Sequence, residues 1–153
     1  MNITSYFRQN NFLYYGWLGH ENLGDEALLV ANKKLFNRHQ IVPRHSKLVR
    51  FLSMNSVLVG GGTFINCPYA YPQLRPLIEN RKLILFGVGV KDLQHYSGCP
   101  GYESAIEDWR TILDQAEFVG VRGPNSLEQL LSAGFPNARI VGDPVLSLSL
   151  IHI

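Results

Sequence analysis

The sequence predicts a doubly wound α/β domain built on a parallel sheet. Short apolar runs alternate with helical patterns along the whole chain, which is the signature of βαβ units. Glycine-bearing turns follow four of those runs, at Gly16–Gly24, Gly60–Gly62, Gly87–Gly89 and Gly120–Gly123. The stretch Phe12–Ala31 joins both signals. It opens apolar and aromatic, passes through Gly16, Gly19 and Gly24, and continues as Asp25-Glu26 before an apolar helix face. Acidic residues suit a helix's first turn, so this reads as strand, glycine loop and helix. In such domains ligands bind beyond the carboxyl ends of the strands, where this loop sits. Its spacing is not the G-x-G-x-x-G of dinucleotide sites.

Bulk properties narrow the class. A length of 153 residues suits one domain with a real core, and 46% apolar against 17% charged residues describes a globular chain. A formal charge of +2 is too small to argue for nucleic acid or an anionic membrane as partner. Cys67 and Cys99 have no C-x-x-C spacing, so they read as reduced thiols of a cytoplasmic protein with no zinc ligand set. No segment has the apolar length of a membrane span, and the start lacks a signal peptide's apolar core.

The elements follow in order. Residues 1–11 are a polar lead-in. The first strand covers Phe12–Tyr15, and the helix after the glycine loop runs to about Phe36. Asn37–Ser46, with Pro43, reads as a loop, and Lys47–Leu52 as a short second strand. Ser56–Val59 is a buried strand running into Gly60-Gly61-Gly62-Thr63. A helix is expected over Tyr71–Asn80 despite Pro72 and Pro76. Lys82–Phe86 is a strand ending in Gly87-Val88-Gly89, and Asp92–Gly101 a loop. Tyr102–Gln115 is an amphipathic helix with Ala105, Ile106, Trp109, Ile112 and Leu113 on one face. Phe118–Val121 is a strand, Pro124–Ala133 a helix begun by proline and closed by Gly134, and Arg139–Val141 the last strand. Val145–Ile153 runs apolar without a cap. Neither an internal repeat nor a low-complexity linker interrupts this order.

Chemistry concentrates in the turns. Gly60-Gly61-Gly62-Thr63 reads either as a nest of backbone N–H groups for a phosphate or carboxylate, or as a close passage of backbone. Arg122, directly after a buried strand, has the fork that holds such anions bidentately; the competing reading is a rim ion pair. Asp143 either caps a turn before Pro144 or faces the crevice. An imidazole such as His20 is suited to proton transfer near neutrality, although a solvated loop histidine is the stronger of the two readings. Asp25 and Glu26 are dipole-stabilised helix-start carboxylates at the least. Trp17, Tyr69 and Tyr71 read as platforms for a sugar ring or as core packing. His39, His45, His95 and His152 have no comparable context.

The motifs Tyr15-Gly16, Asn22-Leu-Gly24-Asp25-Glu26-Ala27, Val59-Gly60-Gly61-Gly62-Thr63, Gly87-Val-Gly89, Val121-Arg122 with Ser126 and Gly134, and Asp143-Pro144 resemble, in kind and order, the polysaccharide pyruvyl transferase family. The resemblance spans about residues 12–148. It implies a Rossmann-like domain, 1–148, forming the N-terminal half of a glycosyltransferase B-type two-domain protein. The C-terminal domain would then lie beyond this chain, and residues 149–153 would be a truncation or a non-native tail. It implies transfer of a pyruvyl group from phosphoenolpyruvate to a sugar or lipid-linked oligosaccharide of a cell-surface polysaccharide, forming a ketal, with no cofactor or metal. Under that reading His20, Asp25 and Glu26 are the catalytic candidates. Gly16, Asn22, Gly24, Gly60, Gly61, Gly62, Thr63, Arg122 and Asp143 are the substrate-binding candidates. The chain alone is expected to be inactive, since groups of the second domain would complete the cleft. Two departures stand out: Val90-Lys91-Asp92 where members often read Ile-Gly-Pro, and Gly123 where they often carry an acid. A sugar-nucleotide glycosyltransferase and a non-catalytic Rossmann-like binding module remain the alternatives.

Overall fold

A computed structural model describes residues 11–92 and 105–149. Seven strands form its sheet: β1 (Phe12–Tyr15), β2 (Ile41–Pro43), β3 (Ser56–Gly60), β4 (Thr63–Ile65), β5 (Lys82–Val90), β6 (Ala116–Val121) and β7 (Arg139–Ile140). The order is β2-β1-β3-β5-β6-β7, and every pair is parallel. β4 lies past the end of β3 and pairs with the last residues of β5, Thr63 opposite Gly89 and Ile65 opposite Val90. The helices are α1 (Leu23–Leu35), α2 (Tyr71–Ile78), α3 (Ala105–Leu113), α4 (Pro124–Ser132) and the short α5 (Leu146–Ser149). This is the α/β Rossmann-like architecture expected from the alternation of strands and helices.

The central strands β1, β3 and β5 are largely buried on both faces, unlike the exposed edge strand β7, because parallel crossovers lay helices on each. Alternate residues serve opposite sides. Phe12, Tyr14, Leu58 and Ile84 pack with Phe36, at the end of α1. Leu13, Tyr15, Val57, Val59, Leu83 and Leu85 pack with α2, α3 and α4 through Leu74, Trp109, Ile112 and Leu130. Strand order reverses between β1 and β3, so the loops after these two strands diverge to opposite faces. The crevice between them is where such a sheet receives a ligand.

Three expectations are corrected. The second strand is Ile41–Pro43, inside the stretch predicted as loop. Ile41 and Val42 are buried and pair with Phe12 and Leu13, so two apolar residues beside β1 outweigh the polar residues around them. Lys47–Arg50 is a 3-10 turn, because the Ser46 side chain accepts from the Leu48 N–H and starts a helical turn. Gly87-Val88-Gly89 is not a turn. β5 continues through it to Val90, with a register shift between Phe86 and Val88. Gly87 takes φ +68 there, and a Cβ would lie 2.3 Å from Pro144 Cδ. The glycine therefore lets the Gly142-Asp143-Pro144 loop close down on the sheet. β4 went unrecognised behind the glycines that precede it.

Helices α1, α2 and α4 start and end within a few residues of expectation. The lead-in 1–10, the loop residues 93–101 with His95 and Cys99, the first residues of the predicted third helix with the side chains of Ala105 and Ile106, and residues 150–153 with His152 lie outside the described residues. α5 gives part of the apolar end a helical turn, tied to α1 by Lys34 Nζ donating to the Ser147 carbonyl at 2.9 Å.

Candidate functional site

The loop after β1 is built by short-range bonds. Asn22 caps α1, its Oδ1 accepting from the Gly24 N–H at 3.0 Å. Glu26 reaches back one turn, and its Oε1 accepts from the Gly19 N–H at 2.8 Å. Glu21 sits at φ +57 and Gly19 at φ +78. Glu21 is thus a side-chain-bearing residue held in the sparsely populated left-handed region. The Trp17 and His20 rings stack, with centroids 4.1 Å apart and planes inclined at 21°. Gly16 is buried directly after β1, where a Cβ would lie 2.5 Å from the Tyr14 ring.

Asp25, in the first turn of α1, is half-buried. Burial pushes its carboxyl above the ordinary aspartate range; the nearby Arg122 guanidinium pulls it down, Glu26 pushes it up, and His20 pulls it down, leaving it raised. The same interactions place Arg122, Glu26 and His20 in the field of Asp25. Arg122 follows β6, and its N–H donates to the Val88 carbonyl at 3.1 Å. Its Nε lies 3.3 Å from Asp143 Oδ2. That nitrogen is buried and misaligned for a hydrogen bond, so the 36% exposure of the side chain belongs to its remaining atoms. Asp143 caps its turn, Oδ1 accepting from the Val145 N–H at 3.0 Å, while Oδ2 forms with Arg122 the ion pair that was the competing reading for the arginine. One edge of the sheet therefore gathers His20, Asp25, Glu26, Arg122 and Asp143.

The glycine triplet is filled from within. Tyr14 donates its hydroxyl to the Gly60 carbonyl at 2.7 Å, and burial raises the phenol so that it stays a donor. A Cβ on Gly60 would lie 2.4 Å from the Tyr14 ring and 2.8 Å from Asn32 Nδ2. One on Gly61, at φ +68, would lie 2.1 Å from Leu28 Cδ1. The Gly61 N–H donates to the Phe86 carbonyl at 3.3 Å. Close passage of backbone thus accounts for Gly60 and Gly61, while Gly62 is half-buried and Thr63 exposed at the start of β4.

Arg44 escaped the sequence reading. It directly follows β2 as Arg122 follows β6, stands 4.8 Å over the Tyr15 ring, and donates Nη2 to Gln73 Oε1 at 2.7 Å. The signal existed, since Ile41-Val42-Pro43-Arg44 repeats the strand-then-arginine pattern of Val121-Arg122, but it required recognising the strand. Ser126, at the start of α4, accepts from the Val90 N–H at 3.1 Å and ties α4 to the end of β5. A cavity of about 680 Å³ runs along α4, between residues including Asn66, Val90, Gln129, Leu130 and Phe135, and none of the candidate residues lines it. Among the described residues no group of three or more His, Cys, Asp or Glu is arranged for a metal ion, and no helix is long and apolar enough to cross a membrane.

Comparison with known proteins adds the family. The chain superposes on a functionally uncharacterised protein of Klebsiella pneumoniae with a TM-score of 0.66 at 18% identity, covering 96% of this chain and 54% of that one. The likeness concerns the fold, and this chain spans about half the length of that protein. No curated protein matches significantly. The family model described as polysaccharide pyruvyl transferase matches residues 22–152, from the cap of α1 through α5 and beyond. This chain belongs to the polysaccharide pyruvyl transferase family.

Proposed function

We propose that this chain forms the donor-binding half of an enzyme transferring a pyruvyl group from phosphoenolpyruvate to two hydroxyls of a sugar. The observation that carries the reading is the Arg122–Asp143 pair at the carboxyl edge of the sheet, near enough to Asp25 at the N-terminus of α1 for the arginine's charge to act on that carboxyl.

The reaction needs a proton on carbon 3 of the enol, tolerance of the positive charge this creates at carbon 2, and two positioned hydroxyls. Both hydroxyl oxygens bond to carbon 2 and the C–O bond to phosphate breaks. The two hydroxyl protons end on the new methyl group and on the released phosphate. Arg122, oriented by Asp143, holds the donor's phosphate or carboxylate. Asp25, whose acid form persists above the ordinary aspartate range, supplies the proton to carbon 3 and recovers one from a sugar hydroxyl. Glu26 fixes the loop through Gly19, and His20 lies within reach of hydroxyl protons. A second domain, of the glycosyltransferase B type, closes over this edge and completes the cleft, so the 153-residue chain binds donor without turning it over.

The test is a calorimetric titration of phosphoenolpyruvate against the chain and its Arg122→Ala variant. Loss of a charge-assisted bidentate contact is worth about 1.5–3 kcal/mol, so affinity should fall roughly 10- to 100-fold. Equal binding by both proteins would take Arg122 out of the donor site, and binding by neither would remove that site from this half. Tighter binding of a nucleoside-diphosphate sugar would favour glycosyl transfer instead.

A further inference from the structure

Trp17 lies on the loop bordering the crevice, yet its indole remains 46% exposed. A large apolar ring left in water is unfavourable relative to its burial, and this one is not loosely placed. His20 stacks against it at 4.1 Å, and the loop carrying both is pinned by Glu26 on the Gly19 N–H and by Asn22 on the Gly24 N–H. Between His20 and Asn22 the chain bears the cost of Glu21 in left-handed backbone at φ +57. A loop stiffened and strained in this way holds an aromatic face in a fixed place at the mouth of the site.

The surroundings choose among ligands that stack on such a face. Glu21, Asp25 and Glu26 crowd the same loop and first turn. The carboxylates of Glu21 and Glu26 repel a second polyanion such as a nucleoside diphosphate. They are suited to accept hydrogen bonds from a neutral ring rich in hydroxyls, whose C–H face packs on the indole. We propose that Trp17, backed by His20, is the platform on which the acceptor's neutral sugar ring stacks, with its hydroxyls turned toward the carboxylates of this loop. The inference rests on the pyruvyl-transfer reading for the word acceptor; the sugar site itself does not.

The chain offers a built-in probe, because its tryptophans are two: Trp17 is exposed and Trp109 fully buried. Trp17 emission would be titrated with the methyl glycosides of glucose, galactose and mannose, and binding checked by calorimetry in Trp17→Ala and Trp17→Phe. Saturable change in Trp17 emission with at least one glycoside is expected. Affinity should drop at least tenfold in Trp17→Ala and only a few-fold in Trp17→Phe, while Trp109 emission stays unchanged and certifies the fold. Binding of no glycoside, or binding equal in Trp17→Ala and the parent, would overturn the platform. So would a nucleoside diphosphate that displaces the glycoside from Trp17. Sugar binding without phosphoenolpyruvate binding would keep the platform and sink the donor site; the reverse would do the opposite.

Discussion

Two glycine-rich turns follow neighbouring strands of this sheet, and past Gly16, which packs on Tyr14, their glycines stand there for opposite reasons. After β3, Gly60 and Gly61 are buried, and the space a side chain would take is held by Tyr14, Asn32 and Leu28. After β1, Gly19 has nothing within 4 Å of where its Cβ would be, and His20, Glu21 and Asn22 around it are exposed. The first turn faces inward and locks α1 to the sheet. The second faces outward, into solvent at the carboxyl edge of the sheet. Glycine content alone does not separate a binding loop from a packing device; what occupies the missing side chain's place does.

The sharpest way to break this contrast is Gly60→Ala. Its methyl meets two fully or nearly fully buried side chains, Tyr14 and Asn32, neither of which has room to retreat. Overpacking of that kind costs roughly 2–4 kcal/mol. Gly19→Ala meets no atom and bears only the cost of placing a methyl-bearing residue at φ +78, about 1 kcal/mol. Urea unfolding of the two variants measures both, and equal losses would mean the turns do not differ as described. The Gly19 change should in turn act more on the outer surface than on the fold. A shift of the Gly19 N–H away from Glu26 would loosen the loop under Trp17, so glycoside affinity should weaken even where stability barely moves.

The same contrast explains what could be read in the sequence. Elements with strong periodicity or strong punctuation were legible: Phe12–Tyr15 and Ser56–Val59 as apolar strands, α1 from its acidic first turn, α4 from Pro124 to Gly134. β2 was not, because Ile41 and Val42 are too short a run to stand out; only pairing with β1 makes them a strand. Gly87 and Gly89 looked like another turn because the clue to the bulge, Pro144 seated on Gly87, lies far away in the chain. Of the candidate site, the residues could be named but not their company. The strand end that carries Arg122 could be foreseen. Its approach to Asp25 depends on how the loops after β6 and β7 fold over the edge, which no local pattern records. Arg44 was hidden with β2.

A smaller effect tests the outward-facing side of the comparison. Burial, partly offset by Arg122, holds the Asp25 carboxyl above its ordinary value of 3.8. A raised folded-state value means the fold favours the protonated form. The stability this contributes is fully present below the unfolded value and is lost as pH rises through the folded one. The ionised form of Asp25 is therefore held at some expense to the fold, as expected of a group held for chemistry rather than for packing. Asp25→Asn should be more stable than the parent wherever the parent's carboxyl is ionised. The difference should close as pH falls toward the ordinary aspartate value, where the parent's carboxyl is protonated as well. Urea midpoints of both proteins across that range would show it. A variant less stable than its parent at neutral pH would instead make Asp25 a helix-start carboxylate serving α1, with the dipole outweighing burial. In that event the edge would keep Arg122 as its anion contact, and the proton for carbon 3 would have to come from elsewhere.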